Sequence, residues 1–181
     1  SGGRIEGRAR KSLLPSYDVF DEDRYFEPAP DGPTVFNVDG RWLGITICED
    51  AWNDRTAFAL ASARRRYHHD PMETLAAAGV DAIVNLSASP FAVGKHTRRE
   101  QMLATVARRY GRPLVYVNQS GGNDDLIFDG RSVAFSADGA VVARGAAFAE
   151  DIVRVTLDPP SASAATIAPQ APAADAPHDL W

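Results

Sequence analysis

An apolar segment that ends in a polar cluster constrains the fold of this chain more than any other feature. Residues 42–47 predict a buried β-strand, and Cys48, Glu49 and Asp50 follow it directly. Because reactive side chains collect at the carboxyl ends of parallel strands, the pattern predicts an α/β layer with a site at Cys48. Cys48 is the only cysteine among 181 residues, which excludes a disulfide within the chain. It is a candidate nucleophile, and the alternative is a small, buried apolar side chain.

Turn and cap signals predict the elements around this strand. An Asp-Gly pair at 39–40 predicts a hairpin of strands 34–38 and 41–47. An N-cap, a proline in the first turn, a glutamate three residues after the cap and a closing glycine predict a helix between Asp70 and Gly79. A second helix is expected at 96–110, a loop at 119–125, and strands at 81–86, 114–118, 126–128, 131–135, 140–144 and 152–157.

Composition restricts the classes of function. The chain is 45% hydrophobic and 24% charged, which fits one globular domain, and no apolar run approaches the ~18 residues of a membrane span. A net charge of -5 gives no basic surface for nucleic acid or an anionic membrane, so small partners in the cytoplasm are expected. Neither Cys48 nor the pair His68 and His69 shows metal-ligand spacing, and no metal site is predicted.

Three features compete for a chemical role. The stretch Ser120 to Asp124 resembles the Ser-Gly-Gly-x-Asp phosphate loop of ATP-pyrophosphatases, but a strand and turn follow it instead of the helix that an anion site needs. The other two features are Cys48-Glu49 and Lys11 with its acidic loop. The histidines show no Cys-His-Asn arrangement, whereas a lysine can lower a thiol's pKa and a glutamate can act as base.

Four blocks, in order, carry a resemblance to a known family. They are Lys-Ser-Leu-Leu-Pro-Ser-Tyr-Asp-Val-Phe-Asp-Glu at 11–22, Ile-Cys-Glu-Asp-Ala-Trp at 47–52, Asn-Leu-Ser-Ala-Ser-Pro-Phe followed by Gly-Lys at 85–95, and Tyr-Val-Asn-Gln followed by Gly-Gly and Leu-Ile-Phe-Asp-Gly at 116–130. Together they resemble the glutaminase domain of glutamine-dependent NAD synthetases, in the nitrilase superfamily, over residues 4–157.

The resemblance implies an α/β fold, the nitrilase-like α-β-β-α sandwich, and a set of roles. The Cys48 thiol would attack the side-chain amide of L-glutamine and form a thioester, Lys11 would stabilise the tetrahedral intermediate, and Glu22 matches a supporting glutamate. Four residues match positions that hold the glutamine: Tyr17, Glu49, Ser89 and Lys95. Glu49 would pair with the α-amino group of the glutamine.

The resemblance also implies a domain organisation. Residues 1–158 would form a partial glutaminase domain, the Ala/Pro-rich residues 159–177 a linker, and residues 178–181 the start of a synthetase domain. Ammonia would pass to that domain, which uses ATP, Mg and deamido-NAD, while the glutaminase part itself needs no cofactor; a homo-oligomer is expected.

One departure from the family concerns the general base. Family members carry this glutamate before Lys11, in a segment that the sequence lacks, so an N-terminally incomplete sandwich with impaired activity is expected. A stand-alone amidase of the same superfamily and a non-catalytic fragment or assembly module are the alternatives. The linker argues against the first, and the missing glutamate favours the second for the chain alone.

Overall fold

The computed structural model describes residues 2–53 and 67–157. Its helices are α1 (Pro71–Ala77) and α2 (Lys95–Tyr110), and its strands are β1 (Thr34–Val38), β2 (Arg41–Ile47), β3 (Ala82–Ser87), β4 (Leu114–Asn118), β5 (Ser120–Asn123), β6 (Leu126–Asp129), β7 (Val133–Phe135) and β8 (Val141–Arg144). Six strands form one sheet in the order β1-β2-β3-β4-β7-β8, and β5 and β6 form a separate two-stranded sheet. No helix in these ranges is long and apolar enough to cross a membrane.

The predicted hairpin leads directly into the parallel centre of the sheet. Asp39 and Gly40 adopt φ angles of 50° and 81°, as a tight turn between antiparallel strands requires, and β1 pairs with β2 across it. Strands β2, β3 and β4 then run parallel. Their carboxyl ends therefore meet at one edge of the sheet, which is where α/β folds place their sites.

The predicted helix caps of α1 are confirmed. The Asp70 carboxylate accepts hydrogen bonds from the backbone N–H groups of Met72 and Glu73 at 3.0 and 3.3 Å. Gly79 follows the helix with a φ of 76°. Helix α1 approaches the sheet closely at Gly44, where an added Cβ would lie 2.7 Å from a methyl carbon of Leu75. The glycine in β2 thus lets the helix pack against the strand.

The core lies between the two helices and one face of the sheet. Residues from α1, α2 and the inward positions of β3, β4 and β7 form a single buried apolar cluster. Its largest fully buried members are Tyr116, Phe135, Met72, Leu75, Ile83, Leu103 and Leu114. The central strands are consequently fixed from the helix side, and with them the positions at which they end.

The opposite face of the sheet is apolar and open near its centre. Leu86 in β3 and Val117 in β4 lie side by side in the parallel register and remain 47% and 42% exposed. Residues 149–153 border a cavity of about 430 Å³ against Val115 and Val117 on this face. The described residues thus supply one helix layer and one sheet of the expected sandwich.

Two predicted elements are wrong. Residues 152–157 do not form a strand: Ile152 is 94% exposed, and the segment has no ladder partner among the described residues. Part of the predicted loop at 119–125 is strand β5, which pairs with β6 through a turn where Asp124 has a φ of 50°. Its glycine-rich sequence lacks the apolar alternation that reveals a strand. The predicted linker at 159–177 and the synthetase start at 178–181 lie outside the described residues.

Candidate active site

Cys48 begins a short 3₁₀ turn, Cys48–Ala51, directly after the internal strand β2. Its φ angle of 48° is left-handed, a conformation that costs a non-glycine residue about 1–3 kcal/mol and persists only where its surroundings enforce it. Two contacts do so here. The N–H of Ile47 donates to Asp50 Oδ2 at 2.9 Å, and Asn85 Nδ2 donates to the Cys48 carbonyl oxygen at 3.4 Å. The strained turn therefore ends the extended strand at Ile47 and directs the chain away from it at Cys48.

Asp50 joins the cysteine turn to the loop that carries Lys11. Its side chain is fully buried, and Oδ1 accepts hydrogen bonds from the N–H groups of Ser12 and Leu13 at 3.0 and 2.8 Å. The Lys11 ammonium in turn donates to the Glu22 carboxylate. The structure therefore brings together the three residues for which catalytic roles were predicted, Cys48, Lys11 and Glu22.

The charges around Cys48 act on its thiol in opposite directions. Burial is the largest influence and raises the pKa of Cys48, and the carboxylates of Glu49 and Glu22 raise it further. The Lys11 ammonium and a backbone hydrogen bond from Ala88 lower it, but the net pKa stays above the ordinary value. The surroundings therefore favour the protonated thiol, and a nucleophilic role requires a base to remove its proton.

Two tyrosines hold the carboxylate of Glu49. The residue is only 5% exposed, and the Tyr17 hydroxyl lies 2.8 and 2.7 Å from its two oxygens. Tyr67 adds its hydroxyl at 3.4 Å from Oε1 and at 3.1 Å from the Leu14 carbonyl oxygen. A buried carboxylate fixed in this way offers a defined place for a cationic ligand group.

Ser89 and Lys95 lie on the neighbouring segment, beyond the end of β3. Ser89 is 3% exposed, and its N–H donates to Asn118 Oδ1 at 2.9 Å. Lys95 Nζ donates to the Pro90 carbonyl oxygen at 3.0 Å. Burial lowers the pKa of Lys95 and the Arg99 guanidinium lowers it further, whereas Cys48, Asp129 and Asp18 raise it. All seven predicted site residues therefore lie around the carboxyl ends of β2 and β3.

Sequence reasoning missed four residues that shape this site: Asp50, Tyr67, Asn85 and Asn118. All act through contacts between distant parts of the chain, which local patterns do not reveal. One signal was available for Asn118, because it ends β4 as Cys48 follows β2, and polar residues at neighbouring strand ends share one sheet edge.

The structure does not support the phosphate-loop alternative. Residues 120–123 form β5, and a turn and strand β6 follow, so the helix that a phosphate loop requires is not there. Within residues 2–53 and 67–157, no three His, Cys, Asp or Glu side chains are grouped so that they could hold a metal ion.

Residues 1–166 match the family model for carbon-nitrogen hydrolases. The chain belongs to the carbon-nitrogen hydrolase family. Solved members of similar fold include a carbon-nitrogen hydrolase from Helicobacter pylori G27, with a TM-score of 0.64 at 24% identity over 80% of this chain and 50% of that one. At that identity the likeness concerns the fold alone, and it confirms the predicted nitrilase-type α/β architecture.

More similar relatives share one name. A glutamine-dependent NAD(+) synthetase from Synechocystis sp. is 45% identical over 156 residues, which are 86% of this chain and 27% of that protein. One from Aquifex aeolicus is 39% identical over 86% of this chain and 25% of that protein. The solved glutamine-dependent NAD+ synthetase from Acinetobacter baumannii, in complex with ADP, has a TM-score of 0.69 at 36% identity over 82% of this chain and 25% of that one. The chain spans about a quarter of the length of these relatives.

Proposed function

We propose that this chain is the glutaminase part of an enzyme that supplies ammonia for the ATP-dependent amidation of deamido-NAD. The observation that carries the proposal is the joining of Cys48 to the Lys11 loop through the buried carboxylate of Asp50. The Lys11 ammonium lowers the pKa of the Cys48 thiol, so the two form a nucleophile with its electrostatic partner. The shared name of the relatives supports glutamine as the amide substrate.

The reaction would proceed through a thioester. The Cys48 sulfur forms a bond to the side-chain carbonyl carbon of glutamine, and the thiol proton passes through a general base to the amide nitrogen. The Lys11 ammonium stabilises the oxyanion of the tetrahedral intermediate, whose collapse breaks the C–N bond and releases ammonia. Water then adds to the thioester, which yields glutamate and the free thiol.

Glutamine would be held at both ends of the site. The Glu49 carboxylate, oriented by Tyr17 and Tyr67, accepts hydrogen bonds from the α-ammonium group. Ser89 and the Lys95 ammonium contact the remaining polar groups of the amino acid. A short aliphatic amide has no α-ammonium group to pair with Glu49, so glutamine is favoured over such amides.

The general base is the role that the described residues fill least well. Glu22 is already paired with Lys11, and Glu49 with Tyr17. The family resemblance assigns this role to a glutamate that precedes Lys11. Glu22 would accordingly support Lys11, as the same resemblance implies.

Replacement of the nucleophile tests the proposal in the full-length natural protein that contains this sequence. Cys48→Ala is expected to lower glutamine-supported NAD synthesis at least about 10³-fold, because thioester formation needs the sulfur. Synthesis from added ammonia should remain near that of the unmodified enzyme. Equal loss with both nitrogen donors would refute the assigned role, and efficient turnover of short aliphatic amides in place of glutamine would favour the stand-alone amidase.

A further inference from the structure

A buried ion pair lies behind the site and has no part in the proposed chemistry. Arg99 of α2 and Asp129 at the end of β6 are each 1% exposed, and Arg99 Nη2 lies 3.2 Å from both carboxylate oxygens. A second guanidinium, that of Arg131, lies 3.7 Å from Asp129 Oδ2. Because the desolvation of buried charges often cancels their attraction, such a pair is weak evidence of a role in stability.

Asn118 connects this pair to the substrate segment. Its Nδ2 donates to Asp129 Oδ1 at 3.1 Å, while its Oδ1 accepts from the Ser89 N–H at 2.9 Å. The Tyr116 hydroxyl also donates to Asn118 Oδ1, at 3.3 Å. An ionised carboxylate can only accept hydrogen bonds, so Asp129 forces the amide nitrogen of Asn118 toward itself and the amide oxygen toward Ser89.

The segment held by Asn118 contributes to three parts of the site. The Ala88 backbone N–H lowers the pKa of the Cys48 thiol, Ser89 is a predicted glutamine contact, and the Pro90 carbonyl oxygen accepts the hydrogen bond of Lys95. The segment follows β3 as a loop and needs an external partner to fix it. Asn118 supplies that partner at the end of the adjacent parallel strand.

We propose that Asp129 is a positioning residue: its buried carboxylate, held by Arg99, orients the Asn118 amide and thereby fixes residues 88–90 against Cys48. The inference rests on the proposed glutaminase function for its effect on turnover, but not for its effect on the thiol. Without the carboxylate the Asn118 amide is no longer held in one orientation, and the Ala88 N–H is then no longer fixed relative to the Cys48 sulfur.

Asp129→Asn tests this in the full-length natural protein. It keeps the shape of the side chain but removes the charge that selects one amide orientation. We expect kcat/KM for glutamine to fall roughly 10–100-fold, as a misplacement of about 1 Å can cause, with most of the loss in kcat. The rate at which iodoacetamide alkylates Cys48, followed by mass spectrometry of its peptide, should fall severalfold at pH 8, because the fixed Ala88 N–H lowers the pKa of the thiol.

Glu100→Gln is the matched control. Glu100 neighbours Arg99 on α2 and forms an exposed ion pair with Arg144, at 2.9 Å, outside the network. Both kcat/KM for glutamine and the alkylation rate of Cys48 should remain within about twofold of the unmodified protein, because exposed ion pairs contribute little to the stability of a fold. A folded Asp129→Asn protein with unchanged alkylation and turnover would overturn the inference.

A second variant decides the question if Asp129→Asn does not fold. Asn118→Ala leaves the Arg99–Asp129 pair intact and removes the link to Ser89, so it should reproduce the slower alkylation. Unchanged alkylation in a folded Asn118→Ala protein would overturn the inference as well. If the unmodified protein does not hydrolyse glutamine, the proposed function fails, whereas the alkylation rates still judge the role of Asp129.

Discussion

At the scale of the residue, the buried carboxylate of Asp50 links the turn that carries Cys48 to the loop that carries Lys11. One carboxylate oxygen of Asp50 accepts hydrogen bonds from the N–H groups of Ser12 and Leu13 in the Lys11 loop. The other accepts a hydrogen bond from the N–H of Ile47, next to Cys48. Burial raises the pKa of Asp50, while these three N–H groups and the Lys11 ammonium lower it. The residue therefore couples the position of the thiol to the position of the cation that acts on it.

The same geometry predicts how the thiol responds to removal of that cation. Lys11→Met eliminates the main charge that lowers the pKa of Cys48, so this pKa should rise further and less thiolate should exist at any given pH. Alkylation of Cys48 by iodoacetamide, measured between pH 7 and about 10, is expected to be severalfold slower, with its inflection at higher pH. Arg10→Met is the control, because it removes the same charge from an exposed neighbour. Equal rates for both variants would show that Lys11 does not act on the thiol.

At the scale of the element, local signals were sufficient where the chain interacts with itself over short distances. The Asp39-Gly40 turn and the Asp70 cap were predicted correctly because each depends on backbone conformation within a few residues. Strand β5 was missed because its pairing with β6, and not its own sequence, makes it a strand. Residues 152–157 had strand-like composition, but no neighbouring strand pairs with them in the described part of the chain.

The candidate site also combines features that local sequence predicted with contacts that it did not. Cys48, Lys11 and Glu22 were predicted because they stand in recognisable blocks, whereas the contacts that position them were not. Tyr67 reaches Glu49, and Asn118 reaches Ser89, from distant parts of the chain. Such contacts depend on the strand order and register, which a single sequence does not specify.

The close approach of α1 to β2 gives a prediction at this scale. Gly44→Ala would place a Cβ 2.7 Å from a Leu75 methyl carbon inside the core, so the Leu75 side chain or the helix that carries it must shift. We expect a loss of about 1–3 kcal/mol in the free energy of unfolding, measured by urea denaturation followed by circular dichroism. Gly122→Ala is the matched control: its Cβ would lie 3.5 Å from the Leu126 carbonyl oxygen, an ordinary contact, and the change should stay within about 0.5 kcal/mol. Equal effects of the two changes would contradict the packing argument.

At the scale of the whole molecule, the two faces of the main sheet differ in their cover. Helices α1 and α2 bury one face. On the other face, Leu86 and Val117 are exposed, and no described element covers them. The site lies at the sheet edge where the parallel strands end, so it does not depend on the open face for Cys48, Lys11 or Asp50 to meet. The open face instead governs how the chain behaves in solution, because contiguous apolar surface promotes association.

The open face determines how the isolated chain associates. The 181-residue chain on its own should self-associate through the region of Val117, and light scattering coupled to size-exclusion chromatography should show its mass rise with concentration. Val117→Lys places a charge in that contact and should raise the dissociation constant at least about tenfold. Val93→Lys introduces the same charge at a valine that is 94% exposed in the loop before α2, and should leave association unchanged. A monomeric chain at high concentration, or equal effects of the two lysines, would show that this face does not mediate association.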